Sequence, residues 1–156
     1  MKIYLKKVKP TDQFIRECLN DYFNNNDYYE IIRTKTGKPL IEDNDIIISV
    51  SHSEEYIALA ISESKVGIDI EKIVTRDYIK LAERYFSEQE AAEIKDKGLE
   101  CFYKHWTTKE AYTKLKGATL NLRISEDEIT REGYNISHQI IDGYFMTVIS
   151  EGESIL

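Results

Sequence analysis

The chain is organised around one run of residues, Val66-Gly67-Ile68-Asp69-Ile70-Glu71-Lys72. This run is apolar and rich in β-branched residues, which is typical of a strand. Side chains two positions apart leave the same face of a strand, so Asp69 and Glu71 are expected on one face and the apolar side chains on the other. Two neighbouring carboxylates need a compensating cation. The run alone predicts two alternatives equally well, an edge strand with a wet acidic face and one side of a metal site.

Length and composition predict one ordered domain with no membrane or nucleic-acid partner. The chain has 156 residues, of which 42% are hydrophobic and 31% are charged, and this length can bury a core without disulfides. Its net charge of -7 disfavours a polyanionic partner, because such a partner needs a basic surface. No apolar run reaches the roughly 18 residues of a membrane span, and the first residues lack a signal-peptide pattern. We therefore expect a cytoplasmic protein.

The two cysteines, Cys18 and Cys101, are expected to be buried thiols. Neither has a neighbouring cysteine or histidine at a spacing that we interpret as metal-binding, and two cysteines do not suggest a disulfide framework. His105 and His138 are expected to be packing or surface residues rather than ligands.

The first third of the chain predicts a strand, a helix and a polar turn. Apolar and polar residues alternate around residues 3–5, and Pro10-Thr11 is typical of a stop followed by a helix N-cap. Apolar residues then recur along 14–23 with the period of an amphipathic helix. A short strand is expected at 28–32. The polar turn at 33–39 suits either an anion site or a solvated loop.

A β-hairpin is expected from the apolar runs 46–50 and 56–61, with residues 51–55 as its loop. Ser51 and His52 lie in that loop. Loops at the end of a sheet often carry binding residues, although a lone histidine in a turn is usually a solvated side chain.

Three helices are expected next. One is expected at 75–85 with Thr75 as its cap, and Ser87-Glu88-Gln89-Glu90 has the capping-box pattern of a second that ends near Gly98. The third runs from Leu99 to Lys116. After it, we expect short strands at 122–129, 134–141 and 144–149. The last two are joined by Asp142-Gly143, a strong hairpin signal.

Glu110 is expected at the edge of the buried stripe of the third helix. At about 100° per residue, Phe102 and Trp106 share a narrow arc, with Lys109 on one side of it and Glu110 and Lys114 on the other. A buried carboxylate is normally paired or liganded. A pair between Glu110 and Lys114, one turn apart, is the simplest alternative to a ligand.

Charged side chains on these elements are the candidates for one site: Lys38, His52, Asp69, Glu71, Lys109, Glu110 and Lys114. Magnesium prefers oxygen ligands and commonly takes a few carboxylates together with substrate phosphates. Lysines balance phosphate charge. The set therefore suggests a site for a magnesium-bound diphosphate, which spacing alone does not establish.

Five segments, in order, resemble the 4'-phosphopantetheinyl transferase superfamily, and specifically its surfactin-synthetase-activating type, which acts on peptide and polyketide synthetases. They are Gly37-Lys38-Pro39, Ser51-His52-Ser53, the run 66–72, Phe86-Ser87-x-x-Glu90 and Trp106-Thr107-Thr108-Lys109-Glu110-Ala111-x-x-Lys114. The resemblance implies the α+β fold of that family, in which an antiparallel sheet packs against a long helix. It also implies an abbreviated N-terminal half at 1–65 and a core half at 66–156.

The resemblance implies a magnesium-dependent reaction that moves the phosphopantetheine arm of coenzyme A to a serine of an acyl or peptidyl carrier protein and releases 3',5'-ADP. The implied magnesium ligands are Asp69, Glu71 and Glu110, and the implied coenzyme contacts are Lys38, Ser51, His52, Lys109 and Lys114. Lys114 would stabilise or protonate the departing 3',5'-ADP, and His52 is a further catalytic candidate. The general base is either Glu110 or a metal-bound water.

The N-terminal half departs from the family pattern. Only 36 residues precede Gly37, so the arginine-rich segment that grips the 3'-phosphate of the coenzyme is expected to be missing. The candidates to replace it are Lys6, Lys7, Arg16, Arg33 and Lys35. A second subunit could also supply the grip, as in the smaller trimeric branch of the superfamily. The protein would then be a homo-oligomer. Two rival functions stay open, a degenerate non-catalytic module that binds carrier proteins and a magnesium-dependent phosphodiester hydrolase.

Overall fold

Strands and helices combine in an α+β arrangement over residues 1–7 and 12–152, which the computed structural model describes. The N-terminal elements are β1 (Lys2–Lys6), α1 (Asp12–Phe23), β2 (Ile31–Arg33), β3 (Pro39–Ile41), β4 (Ile47–Ser53) and β5 (Tyr56–Ser62). They are followed by β6 (Val66–Lys72), α2 (Tyr78–Tyr85), α3 (Glu88–Lys97), α4 (Leu99–Lys116), α5 (Glu126–Arg131), β7 (Tyr134–Ile141) and β8 (Tyr144–Glu151). The expected fold class is confirmed. None of the helices in these ranges is both long and apolar enough to span a membrane.

Two three-stranded antiparallel sheets make up most of the strand structure. The first has the order β1-β5-β4 and the second β6-β8-β7, while β2 and β3 form a separate two-stranded pair. The predicted hairpin at Asp142-Gly143 joins β7 to β8, and both of its turn residues have positive φ, 51° and 78°, as a tight two-residue turn requires.

Serine side chains join the two sheets along β4 and β6. The hydroxyls of Ser49, Ser51 and Ser53 accept hydrogen bonds from the backbone N–H groups of residues 68, 70 and 72, at 3.1, 3.2 and 3.0 Å. Since β6 is the edge strand of its own sheet, these bonds satisfy donors that no strand pairs. The apolar side chains of β6 pack against Ala58 and Ala60 of β5.

The opposite face of β6, which carries the carboxylates, is covered by α4. This helix approaches so closely that a Cβ atom built on Gly67 would lie 1.9 Å from the carbonyl oxygen of Ala111. The hydroxyl of Thr107 on α4 also meets that of Thr147 on the neighbouring strand β8, at 2.6 Å. Strand β6 is an edge strand, as one alternative expected. The expected wet acidic face is wrong, because Asp69 is only 3% exposed.

Several expected elements are confirmed with their end signals. Strand β1 is present, and α1 buries the predicted apolar face. Ser87 and Glu90 form the capping box of α3. Helix α4 has the predicted bounds and ends at Gly117, whose φ of 63° is left-handed.

Four local predictions need correction, and one cannot be compared. The segment 122–129 contains the start of α5 rather than a strand, because Ser125 and Glu128 form a second capping box. Helix α2 is capped by Asp77 instead of Thr75. Strand β2 begins at residue 31 and pairs with β3, which starts inside the expected polar turn. Residues 51–53 belong to β4, so the hairpin loop shrinks to Glu54-Glu55. The predicted stop and cap at residues 10 and 11 lie outside the described residues.

Candidate active site

Asp69 is the buried centre of the candidate site. Its Oδ1 atom accepts a hydrogen bond from Ser51 Oγ at 2.8 Å and another from Lys114 Nζ at 2.8 Å. Its Oδ2 atom is buried and has no hydrogen-bond partner among the described residues. Burial raises the pKa of Asp69, although Lys114 and Ser51 act in the opposite direction. A buried carboxylate oxygen without a partner is costly, and a cation is the simplest group to satisfy it.

Glu71 and Glu110 bring two further carboxylates towards Asp69. Burial, followed by the charges of Asp69 and Glu110, raises the pKa of Glu71 to about 7, while a hydrogen bond donated by Trp106 opposes this shift. The pKa of Glu110 is raised by burial and then by Asp69. The three carboxylates therefore repel one another across a short distance. A divalent cation would relieve this repulsion, so the donor set fits one.

Lys38 and Lys114 provide positive charge next to these carboxylates. Lys38 Nζ donates to the backbone carbonyl of Lys114 at 3.2 Å, and burial lowers the pKa of Lys38. Both lysines line a cavity of about 250 Å³ together with Thr36, Ser49 and Thr113. This cavity offers two ammonium groups to an anion beside the acidic centre.

A second cavity of about 270 Å³ adjoins the first near Gly37. It shares Gly37, Pro39 and Val50 with the first and is also lined by Arg33 and His52. The two cavities therefore adjoin, and both present cations near Gly37.

The structure separates Ser51 from His52, which the sequence placed together. Because the two are neighbours in a strand, they leave opposite faces of β4. Ser51 is buried and serves Asp69 and the N–H of Ile70, whereas His52 lines the second cavity. The expected contact of Ser51 with a phosphate is thus replaced by a role in orienting Asp69.

Lys109 is the predicted coenzyme contact that the structure does not bring to the site. Its Nζ is buried and donates to both carboxylate oxygens of Glu90, at 3.0 and 2.9 Å, and to the carbonyl of Ile124 at 2.6 Å. Lys109 and Glu110 are successive residues of a helix and point about 100° apart. The expectation for Lys109 is therefore corrected: it closes the contact between α3 and α4.

Sequence reasoning missed two side chains of the site region and left a third undecided. Trp106 was assigned to the core, yet it donates a hydrogen bond to Glu71. This contact could have been expected, because an indole N–H needs a hydrogen-bond partner when it is buried. Asp12 pairs with Arg33 across 21 positions, a contact with no local signal. Among the cations that the sequence offers for the 3'-phosphate of the coenzyme, Arg33 lines the second cavity, whereas Lys7 pairs with Asp142.

The fold and the site define an α+β protein with an acidic centre beside a lysine-lined cavity. A family model described as the 4'-phosphopantetheinyl transferase superfamily matches residues 65–148, which is more than half of the chain. The chain belongs to this superfamily, and the resemblance found in the sequence is confirmed.

Curated relatives carry the same family name. The chain is 38% identical to the 4'-phosphopantetheinyl transferase gsp of Aneurinibacillus migulanus over 110 residues, which is 68% of this chain and 42% of the relative. It is 37% identical to 4'-phosphopantetheinyl transferase AcpT of Escherichia coli (strain K12) over 116 residues, 70% of this chain and 60% of the relative. It is 35% identical to 4'-phosphopantetheinyl transferase Sfp of Bacillus subtilis (strain 168) over 91 residues, 55% of this chain and 40% of the relative. The chain spans about half the length of the curated relatives it matches.

Proposed function

We propose that this protein transfers the 4'-phosphopantetheine arm of coenzyme A to a serine of an acyl or peptidyl carrier protein, with Mg²⁺ as the metal and 3',5'-ADP as the product. The observation that carries the proposal is the buried Oδ2 of Asp69, which no hydrogen-bond partner in the described part of the chain satisfies. Two further carboxylates of raised pKa and a cavity that two lysines line support it. Family membership supports the same reaction.

Asp69, Glu71 and Glu110 are the residues that would hold the metal. When bound, Mg²⁺ would neutralise charge on the diphosphate of the coenzyme and on its oxygens during transfer. The set fits because magnesium takes oxygen ligands.

The lysines and the second cavity bind the coenzyme in this proposal. Lys38 and Lys114 face the first cavity and pair with phosphate oxygens there, and Lys114 also stabilises or protonates the departing 3',5'-ADP. Arg33 and His52 line the adjoining cavity and take a further phosphate group. Guanidinium groups suit this task because they bind phosphate through two parallel hydrogen bonds.

Glu110 removes the proton of the attacking serine hydroxyl in this proposal. It lies on α4, on a different element from the two carboxylates of β6. A carboxylate on a separate element can reach the serine hydroxyl from its own side, either directly or through a metal-bound water.

The division into halves at 1–65 and 66–156 is also a proposal. The sheet β1-β5-β4 lies entirely in the first range and the sheet β6-β8-β7 in the second, which supports it. The cytoplasmic location and the homo-oligomeric state stay predictions.

The test is an intact-mass measurement. The purified protein is incubated with Mg²⁺, coenzyme A and a panel of apo carrier proteins, and we expect a carrier to gain the mass of one phosphopantetheine. Glu110→Gln should abolish this gain, whereas Glu100→Gln, an exposed position on the same helix, should retain it.

Each rival function predicts a different result. A non-catalytic module would bind carriers without any mass gain, and a hydrolase would cleave phosphodiesters in a control reaction that contains no carrier. Absence of a mass gain across several carriers would refute the transferase.

A further inference from the structure

A second cluster of ligand-type side chains lies between α3 and α4, outside the candidate active site. It consists of Glu93 on α3 and of Cys101 and His105 on α4, and one ligand atom from each lies within 4.8 Å of the others. Cys101 and His105 are one helical turn apart, so they share a face of α4. Our sequence interpretation of both as simple packing residues overlooked this spacing.

His105 is held by carboxylates through both ring nitrogens. Its Nε2 atom lies 3.0 Å from Glu93 Oε2, and its Nδ1 atom lies 3.5 Å from Glu90 Oε1. Glu90 is itself fixed by Lys109 and by the capping box of α3. A histidine that binds a metal through one nitrogen commonly donates its other N–H to a carboxylate, which sets the tautomer and the ring orientation. Glu90 is placed to do this for His105.

We propose that Glu93, Cys101 and His105 bind one divalent cation of the zinc type. A thiolate, an imidazole nitrogen and a carboxylate oxygen form a mixed ligand set that suits Zn²⁺, whereas Mg²⁺ prefers oxygen alone. Three protein ligands leave a fourth position for water. On binding, the thiol of Cys101 releases its proton to the solvent and its sulfur bonds to the cation.

The present spacing needs only a small adjustment to hold the ion. Ligand atoms around a tetrahedral Zn²⁺ are separated by about 3.5 Å, so side-chain rotations that close the 4.8 Å spread are sufficient. Glu93 can move most easily, because its side chain is 30% exposed, and its Oε1 atom bonds only the exposed Lys97 among the described residues.

Two of the three proposed ligands line a cavity through which a cation can approach. Glu93 and His105 line a cavity of about 210 Å³ whose other charged lining residues are Glu90, Lys104, Glu126 and Asp127. Carboxylates outnumber cations on this wall, and the resulting negative potential attracts a divalent ion. A bound cation would fasten α3 to α4 beside the Glu90–Lys109 contact.

The test uses Co²⁺ as a spectroscopic substitute for Zn²⁺ with the untagged, reduced protein and saturating Mg²⁺. We expect one equivalent of Co²⁺ to bind with a thiolate-to-cobalt charge-transfer absorption, and Zn²⁺ to displace it. Cys101→Ala should lose this absorption. Cys18→Ala is the matched control and should retain the absorption. Cys18 is also a buried thiol, but it lies on the core-facing side of α1.

The wild-type spectrum alone can overturn the proposal, since absence of the charge-transfer absorption would mean that no thiolate binds the metal. Its survival in Cys101→Ala, or its loss in a folded Cys18→Ala, would do the same. If Cys101→Ala does not fold, Glu93→Gln and His105→Gln replace it. Each should weaken Co²⁺ binding at least tenfold, and an unchanged affinity in both would refute the site. The affinities are read from the charge-transfer absorption, which reports a thiolate ligand. Asp69, Glu71 and Glu110 offer oxygen alone, so the result is independent of the candidate active site.

Discussion

Gly67→Ala tests whether the close approach of α4 to β6 holds both the fold and the candidate active site. A Cβ at this position would lie 1.9 Å from the carbonyl oxygen of Ala111 and 2.8 Å from the backbone nitrogen of Leu115, whereas ordinary contact begins at 3.4 Å. Both neighbours are backbone atoms inside a helix, so no flexible side chain can move aside. The helix must retreat by about 1.5 Å, or the strand must bend by a similar amount.

Two effects of opposite sign determine the size of the change in stability. Overpacking of this kind costs about 1–3 kcal/mol, and rigid neighbours place it at the upper end of that range. Replacing glycine by alanine recovers about 0.4–1 kcal/mol, because the unfolded chain loses freedom. We expect a net loss of about 2 kcal/mol, which corresponds to a fall in Tm of roughly 4–8 °C for a chain of this length.

The same displacement is expected to reduce activity more strongly than stability. Glu110 and Lys114 are carried by the part of α4 that contacts Gly67, whereas Asp69 lies on the strand itself. A misplacement of about 1 Å in such a constellation can cost about 100-fold in rate. Phosphopantetheine transfer should therefore fall by about two orders of magnitude at a temperature where the variant is still folded.

Thermal unfolding followed by circular dichroism, with intact-mass kinetics on the same preparation, measures both effects. The sign of the stability change is decisive. If there were no clash, strand propensity and chain entropy would make the alanine variant more stable than the wild type. A Tm equal to or above that of the wild type would refute the close packing of α4 on β6.

Three further predictions follow from the charged groups. In metal-free buffer the free energy of unfolding should fall as the pH rises from about 4.5 to 7, because the raised pKa of Glu71 keeps a proton on the native state that the unfolded state has released. After allowance for solvent screening we expect a fall of about 1–2 kcal/mol. Urea midpoints across this range measure the fall, and an equal slope in Glu71→Gln would contradict it. Mg²⁺ should raise the Tm of the wild type and leave that of Asp69→Asn unchanged, as scanning calorimetry can record; an equal rise in both would exclude Asp69 as a ligand. Lys109→Met should destabilise the protein by about 3 kcal/mol in urea titrations, because it leaves Glu90 buried without its partner, and a loss below about 1 kcal/mol would argue against the pair.

The sequence predicted elements whose signals are local. The capping box at Ser87, the glycine at 117 and the Asp142-Gly143 turn each involve groups within a few residues of one another, so the same contacts form whatever lies around them. The alternation in the run 66–72 predicted which face carries Asp69 and Glu71. The family segments then predicted Glu110 and Lys114 as their neighbours.

The errors concern side chains whose partners are distant in sequence. Helical periodicity assumes one buried stripe, but α4 is covered on several sides by β6, β8, α2, α3 and α5. Lys109, Thr107 and His105 are therefore all buried, although no single stripe contains them. Periodicity reports angles around a helix and cannot say what lies at each angle, which is why Lys109 was assigned to the wrong site.

Two clusters of charged side chains contact α4, and they differ in how completely their charges are neutralised. This difference distinguishes a structural ion pair from a candidate active site. Lys109 and Glu90 form a closed pair whose hydrogen bonds are satisfied within the protein. On the other side of the helix are three carboxylates, those of Asp69, Glu71 and Glu110. The Lys114 ammonium pairs with Asp69, whereas the Lys38 ammonium bonds a backbone carbonyl. When all are ionised, the carboxylates exceed their ion-paired ammonium by two charges. Lys114 donates to one oxygen of Asp69, and within residues 1–7 and 12–152 the other oxygen has no hydrogen-bond partner. A protein that needed this cluster only for packing would gain stability by replacing part of it with apolar residues. One divalent cation would neutralise an excess of two negative charges. If it replaced Lys114 as the partner of Asp69, the Lys114 ammonium would become free to bind an anion in the adjoining cavity.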